Sequence, residues 1–215
     1  MMTRYRRRLH SPGLLAGFAV RLIGRGQLLI QAGDRLPLVL ASYPRGRSRY
    51  ALTLNSALRA IFPALPATVR GNYDEVLDRL PPLIVADLRA CNLCSCLGHH
   101  HPRISHTGLT RRLAADVGDR VAEIDLAVDA IRDWEPLPLA TLAAQAGVAA
   151  EVLGQTRFQT ALLAVFLHEL EHVAFPERSE KRIRQRSDQF YVSAIRAQLA
   201  SEYGIAFGIS AQAVA

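Results

Sequence analysis

Apolar residues fall into short runs in the first half of the chain and into long helical stretches in the second. Leu14 to Leu22 has the spacing of a short helix. Two β-like runs follow, Gln27 to Gln31 and Leu36 to Ser42, parted by Ala32-Gly33-Asp34; apolar runs bounded by turn formers favour extended chain. Tyr50 to Leu54 reads as a third extended run, leading to Asn55 as the N-cap of a helix that ends near Pro63. Tyr73 to Leu80 predicts a helix stopped by Pro81-Pro82, and Leu83 to Ala90, helical or extended, leads into a cysteine cluster.

Cys91 to His106 is rich in Cys, His, Gly and Pro and reads as a loop. A helix over Leu109 to Val117 comes next, then Val121 to Val128, where Ile124, Leu126 and Val128 alternate with Asp125 and Ala127 as in a strand with one buried face. From Pro138 onward the pattern is helical: Pro138 to Ala146, a break at Gly147, a long apolar helix to about Phe175, Pro176 as a stop, and an amphipathic helix from Glu177 to about Tyr203. These elements predict an α+β fold, a small sheet packed on the long apolar helix with a C-terminal helical hairpin. One domain is expected over residues 1–215, with an α+β part over 1–90, a Cys/His-rich loop over 91–106, and a strand plus helices over 107–215.

Half the residues are hydrophobic and 21% are charged, which excludes disordered, collagen-like and coiled-coil classes. The net charge is +7, and 25 of the 26 basic residues are arginine, a ratio that fits a GC-rich bacterial genome. Basic clusters at Arg4 to Arg8, Arg45 to Arg49 and Arg182 to Arg186 read as solvated faces. No run reaches the roughly 18 apolar residues that span a bilayer. The acid-free N-terminus lacks a small-residue cleavage site, so a soluble, cytoplasmic protein with no membrane partner is expected. Three cysteines within six positions do not read as a disulfide framework.

The chemistry lies in the long helix, in His168-Glu169-Leu170-Glu171-His172. Residues four apart share a helix face, so two imidazoles converge on one metal ion with Glu169 beside them as a general base. Zinc suits that set, because it lowers the pKa of a water it holds to about 7. Two histidines and a glutamate are costly on so apolar a helix unless something satisfies them. The motif resembles that of the zincin metallopeptidases, which implies His168 and His172 as ligands and Glu169 as the catalytic base. It also implies a strand beside the motif helix that aligns a peptide, for which Ala122 to Val128 is the candidate.

His172 is the last histidine and no cysteine follows it, so a downstream third ligand is a carboxylate, as in the gluzincin branch; the metzincin extension is absent, since positions 175 and 178 are Phe175 and Arg178. Glu177, Glu180, Asp188 and Glu202 are the candidates. A hairpin cornered at Phe175-Pro176 brings Glu180 level with His172, with Asp188 about two turns further on, so Glu180 is favoured and Asp188 second. The Glu-x-x-Ala-Asp/Asn pattern of related families would put glutamate where this chain has Arg184.

Two further signals stand apart. Cys91, Cys94, Cys96 and His99, in Cys-x-x-Cys-x-Cys-x-x-His, are candidate ligands of a second, structural metal site, beside readings as a plain or a redox loop. Leu142 to Leu153 resembles helix-turn-helix spacing around Gly147. The expected function is a zinc-dependent metallopeptidase acting on a peptide or protein, with Glu169 activating the water. The alternative is a DNA-associated regulatory protein on a non-catalytic scaffold.

Overall fold

Strand β1 (Gln27–Ile30) leads through Gly33, whose φ of 83° suits glycine alone, into β2 (Leu38–Ser42), its antiparallel partner. The computed structural model describes residues 26–89, 95–102, 106–134, 139–147 and 149–203, so the segment expected as a helix over Leu14 to Leu22 lies outside the described residues. Helix α1 (Ser48–Ser56) follows, then a π-helical turn (Ala57–Ile61) and the short helices α2 (Phe62–Ala64), α3 (Ala67–Gly71) and α4 (Asp74–Arg79). The extended run expected at Tyr50 to Leu54 is therefore helical. Tyr50, Ala51, Leu54, Ala57, Leu58 and Ile61 are all buried, a 3.6-residue stripe that continues past the point where the strand was expected to end.

The chain continues through β3 (Leu83–Asp87), β4 (Gly98–His101), helix α5 (Gly108–Val117), β5 (Val121–Leu126), α6 (Val128–Asp133) and α7 (Leu139–Ala146). Helices α8 (Ala150–Ala174) and α9 (Glu180–Tyr203) complete the described chain. The five strands form one open sheet in the order β1-β2-β3-β5-β4, with parallel β2/β3 and β3/β5 pairs and β4 antiparallel to β5 at an edge. Two expectations change here. The Cys91 to His106 segment carries a strand, and β5 is internal, so the edge nearest the motif helix is β4 rather than Ala122 to Val128.

The fold is thus mixed α+β with a C-terminal helical pair, as expected. One face of the sheet, with Val39, Ala41, Ile84, Ala86, Ile124 and Leu126, packs on α8; the other, with Leu38, Leu40, Leu83, Val85 and Val121, packs on Leu113 of α5. Covered on both faces, β2 and β3 read as continuous apolar runs. Helix α8 is the centre of the core, with every residue from Ala161 to Leu167 buried. Each large side chain there contributes about 1.5–3 kcal/mol by burial. Contacts from His172 to Glu180, His168 to Ser187 and Thr160 to Gln198 set α8 and α9 antiparallel. The helix-turn-helix-like segment has its break at Gly147, φ 65°, but α8 runs unbroken from there into the core. Among the described residues no helix is long and apolar enough to cross a membrane.

Candidate metal centre

Burial of one side of α8 against the sheet turns His168 and His172 toward the cleft between β4 and α9. Phe175-Pro176 ends α8, and after a short turn α9 begins at Glu180, three residues later than expected, with that residue facing the histidines. His172 Nε2 lies 2.9 Å from Glu180 Oε2, His168 Nε2 lies 3.5 Å from the same oxygen, and the two Nε2 atoms are 3.2 Å apart. A tetrahedral zinc with bonds of about 2.0–2.1 Å holds its ligand atoms about 3.3–3.4 Å apart. The three donors therefore have the spacing of one face of such a tetrahedron, and the residues fit the ion.

Neighbouring groups set the donors' orientation. The Ser187 hydroxyl donates to the Arg184 carbonyl at 2.9 Å, so toward His168 Nδ1, 3.2 Å away, it acts as acceptor. That assigns the His168 proton to Nδ1 and leaves the Nε2 lone pair for a metal. Burial lowers the His168 pKa, which keeps the ring neutral. Arg184 donates to Glu180 Oε1 at 3.0 Å while Oε2 faces the imidazoles. Burial alone would raise the Glu180 carboxyl, but His168 and the hydrogen bonds from His172 and Arg184 outweigh it and hold it below its ordinary range.

Glu169 is 4% exposed, with Oε1 4.0 Å from His168 Nε2. Burial, reinforced by Glu180, pushes its pKa up to about 8, against a hydrogen bond from the His100 main-chain N–H. Strand β4 makes this contact possible. The Ala127 N–H donates to the Leu97 carbonyl, so in antiparallel register Leu97, His99 and His101 pair with β5 while Gly98 and His100 direct their main-chain groups outward. Gly98 passes so near Glu169 that a Cβ would stand 2.5 Å from Oε1. The His100 ring lies parallel to that of His172, 7° between planes and 5.2 Å between centroids, and burial lowers its pKa to about 4.

Of the residues singled out from sequence, His168, His172, Glu180 and Glu169 come together. Asp188 lines the same cavity but is not among the three converging donors, Glu177 is exposed, and the Glu202 side chain is outside what the structure describes. Cys91 and Cys94 lie outside the described residues. Cys96 is disulfide-bonded, contrary to the expectation from cysteine spacing, so its sulfur is no thiolate donor. His99 sits on β4 with its ring 5.0 Å from that of His101, which itself bonds Asp125 at 2.7 Å. Among the described residues, His168, His172 and Glu180 are the one group of three or more such side chains with donor atoms within 4.8 Å of one another. Gly98, His100 and Ser187 were missed.

Comparison of the chain with protein-family models, curated proteins and solved structures finds no match.

Proposed function

We propose that the chain is a zinc-dependent metallopeptidase with a zincin-like site, of the kind in which a glutamate is the third ligand. The observation that carries the reading is the spacing of His168, His172 and Glu180 beside the buried carboxylate of Glu169. These three residues would hold the ion. Zinc, when bound, supplies Lewis acidity toward water and toward a carbonyl oxygen.

The rest of the work falls to the chain. Glu169 takes a proton from the attacking water as the new C–O bond forms, and gives it to the amine nitrogen as the C–N bond breaks, which leaves a carboxylic acid and an amine. Its carboxyl is buried beside His168, and the His100 N–H holds it in place. The outward main-chain carbonyls of Gly98 and His100 give an extended peptide an edge to pair with.

Metal analysis of the full chain beside His168→Ala, and cleavage of a peptide library beside Glu169→Gln, test the reading. About one equivalent of zinc in the wild type, lost in His168→Ala, and hydrolysis abolished in Glu169→Gln with zinc retained, are the expected results. A wild type that holds no zinc, or a Glu169→Gln variant as active as wild type, overturns it.

A further inference from the structure

Two cavities, of about 810 and 550 Å³, adjoin where β4 meets α8. The first is bounded by the leading part of β4 and by Val165 to His172, the second by the trailing end of β4 and by Val173 and Pro176. His100 and His172 belong to both. A polypeptide running from one cavity to the other therefore crosses these two rings at the point where the triad faces the cleft. The His172 nitrogen is directed at Glu180 and His168, so its ring is committed. The His100 ring has no hydrogen bond to either nitrogen among the described residues, and its nitrogens are outside the converging donor group. It is nevertheless fixed, by its main-chain bond to Glu169 and by stacking on His172. Arg184, the cationic alternative, lines the first cavity only and is engaged with Glu180 at 3.0 Å.

We propose that His100 is a catalytic residue whose imidazole N–H donates a hydrogen bond to the oxygen of the scissile amide, and more strongly to the oxyanion it becomes. The inference rests on the metallopeptidase reading. A donor already in place and oriented costs no reorganisation when charge develops, and removing one such donor lowers turnover by about 10²–10³-fold.

The test uses the zinc-loaded full chain with His100→Ala and His100→Gln, the second keeping an N–H donor. Hydrolysis of a doubly capped, internally quenched peptide gives kcat and KM. Calorimetry with a phosphonate peptide, whose tetrahedral oxyanion mimics the intermediate, gives a binding readout that needs no turnover. Expected for His100→Ala are a kcat about 10²–10³-fold lower, KM within threefold, zinc content unchanged, phosphonate affinity falling with kcat, and partial recovery of both in His100→Gln. Unchanged kcat and phosphonate affinity overturn the proposal, as does loss of zinc, which would make His100 part of the metal site. A wild type that cleaves no peptide, or a Glu169→Gln variant that still cleaves, fails the metallopeptidase reading itself. Activity that depends on Glu169 but not on His100 fails this inference alone.

Discussion

Gly98→Ala puts one methyl group into the closest approach in the site. Built on the present backbone, the new Cβ stands 2.5 Å from Glu169 Oε1, 2.7 Å from Cγ and 2.8 Å from Cδ. Ordinary contact begins near 3.4 Å, so the carboxylate and the strand must part by about 0.9 Å. Neither yields freely: Glu169 is buried on the central helix, and β4 is tied to β5 through the register Gly98↔Leu126 to His101↔Glu123. Overpacking of this kind costs about 1–3 kcal/mol. The assay is denaturant unfolding of the metal-free protein in a four-member cycle: wild type, Gly98→Ala, Glu169→Ala and the double variant. Removing the Glu169 side chain removes the clash, so Gly98→Ala should cost about 1–3 kcal/mol less in the Glu169→Ala background. An equal cost in both backgrounds, or none in either, would refute the packing argument. In the zinc-loaded protein the same displacement should lower kcat by about 10²-fold with zinc retained, because a general base moved by an ångström loses its geometry.

Ser187→Ala removes the acceptor that fixes the His168 tautomer, and zinc affinity, read by chelator competition, should weaken by about 10–100-fold with the fold intact. Asp87 gives a pH signature: burial pushes its carboxyl up to about 6, opposed by Arg89 and aided by Asp125 and Glu123. A folded-state pKa above the unfolded value near 3.9 means that its stabilising contribution is full below about pH 4 and is lost as pH rises through about 6. Asp87→Asn should therefore stabilise the protein by about 2 kcal/mol at pH 8 and leave it unchanged at pH 4 in melts recorded across that range. Glu171→Gln leaves Arg178 and Arg186 short of their counter-ion and should cost about 3 kcal/mol in urea unfolding, with weaker zinc binding besides.

The motif helix was legible because its ligands follow from helical spacing alone, and Glu180 because a hairpin cornered at Phe175-Pro176 is a local construction. The strand β4 was not legible. Gly98-His99-His100-His101 has no apolar alternation to mark it, since its two faces meet a polar cleft and the His101–Asp125 pair rather than a core. Tyr50 to Leu54 misled in the opposite way. A five-residue window cannot separate the strand period from the helical one, and the decisive positions, Ala57, Leu58 and Ile61, lie beyond it. The first difference bears on the site: the contacts that position Glu169 come from a segment whose sequence advertised metal ligation instead.

What holds Glu180 level with His172 is decided one residue inside the motif. Glu171 is 0% exposed. It takes Arg178 of the interhelical turn at 2.7 Å and Arg186 of α9 at 3.1 Å. Arg178 also reaches Glu75 of α4 at 3.0 Å and lies over the Phe175 ring. Buried ion pairs add little net stability against apolar residues of the same shape, yet breaking one is costly. Their effect here is on register. Sliding α9 by one residue would turn Glu180 by about 100° from the histidines. The same slide would withdraw Arg186 from Glu171 and leave the buried carboxylate with Arg178 alone. The helical turn that presents two ligands thus also anchors, through Glu171, the segment that returns the third. Any perturbation of Glu171 should therefore register in metal affinity as well as in stability.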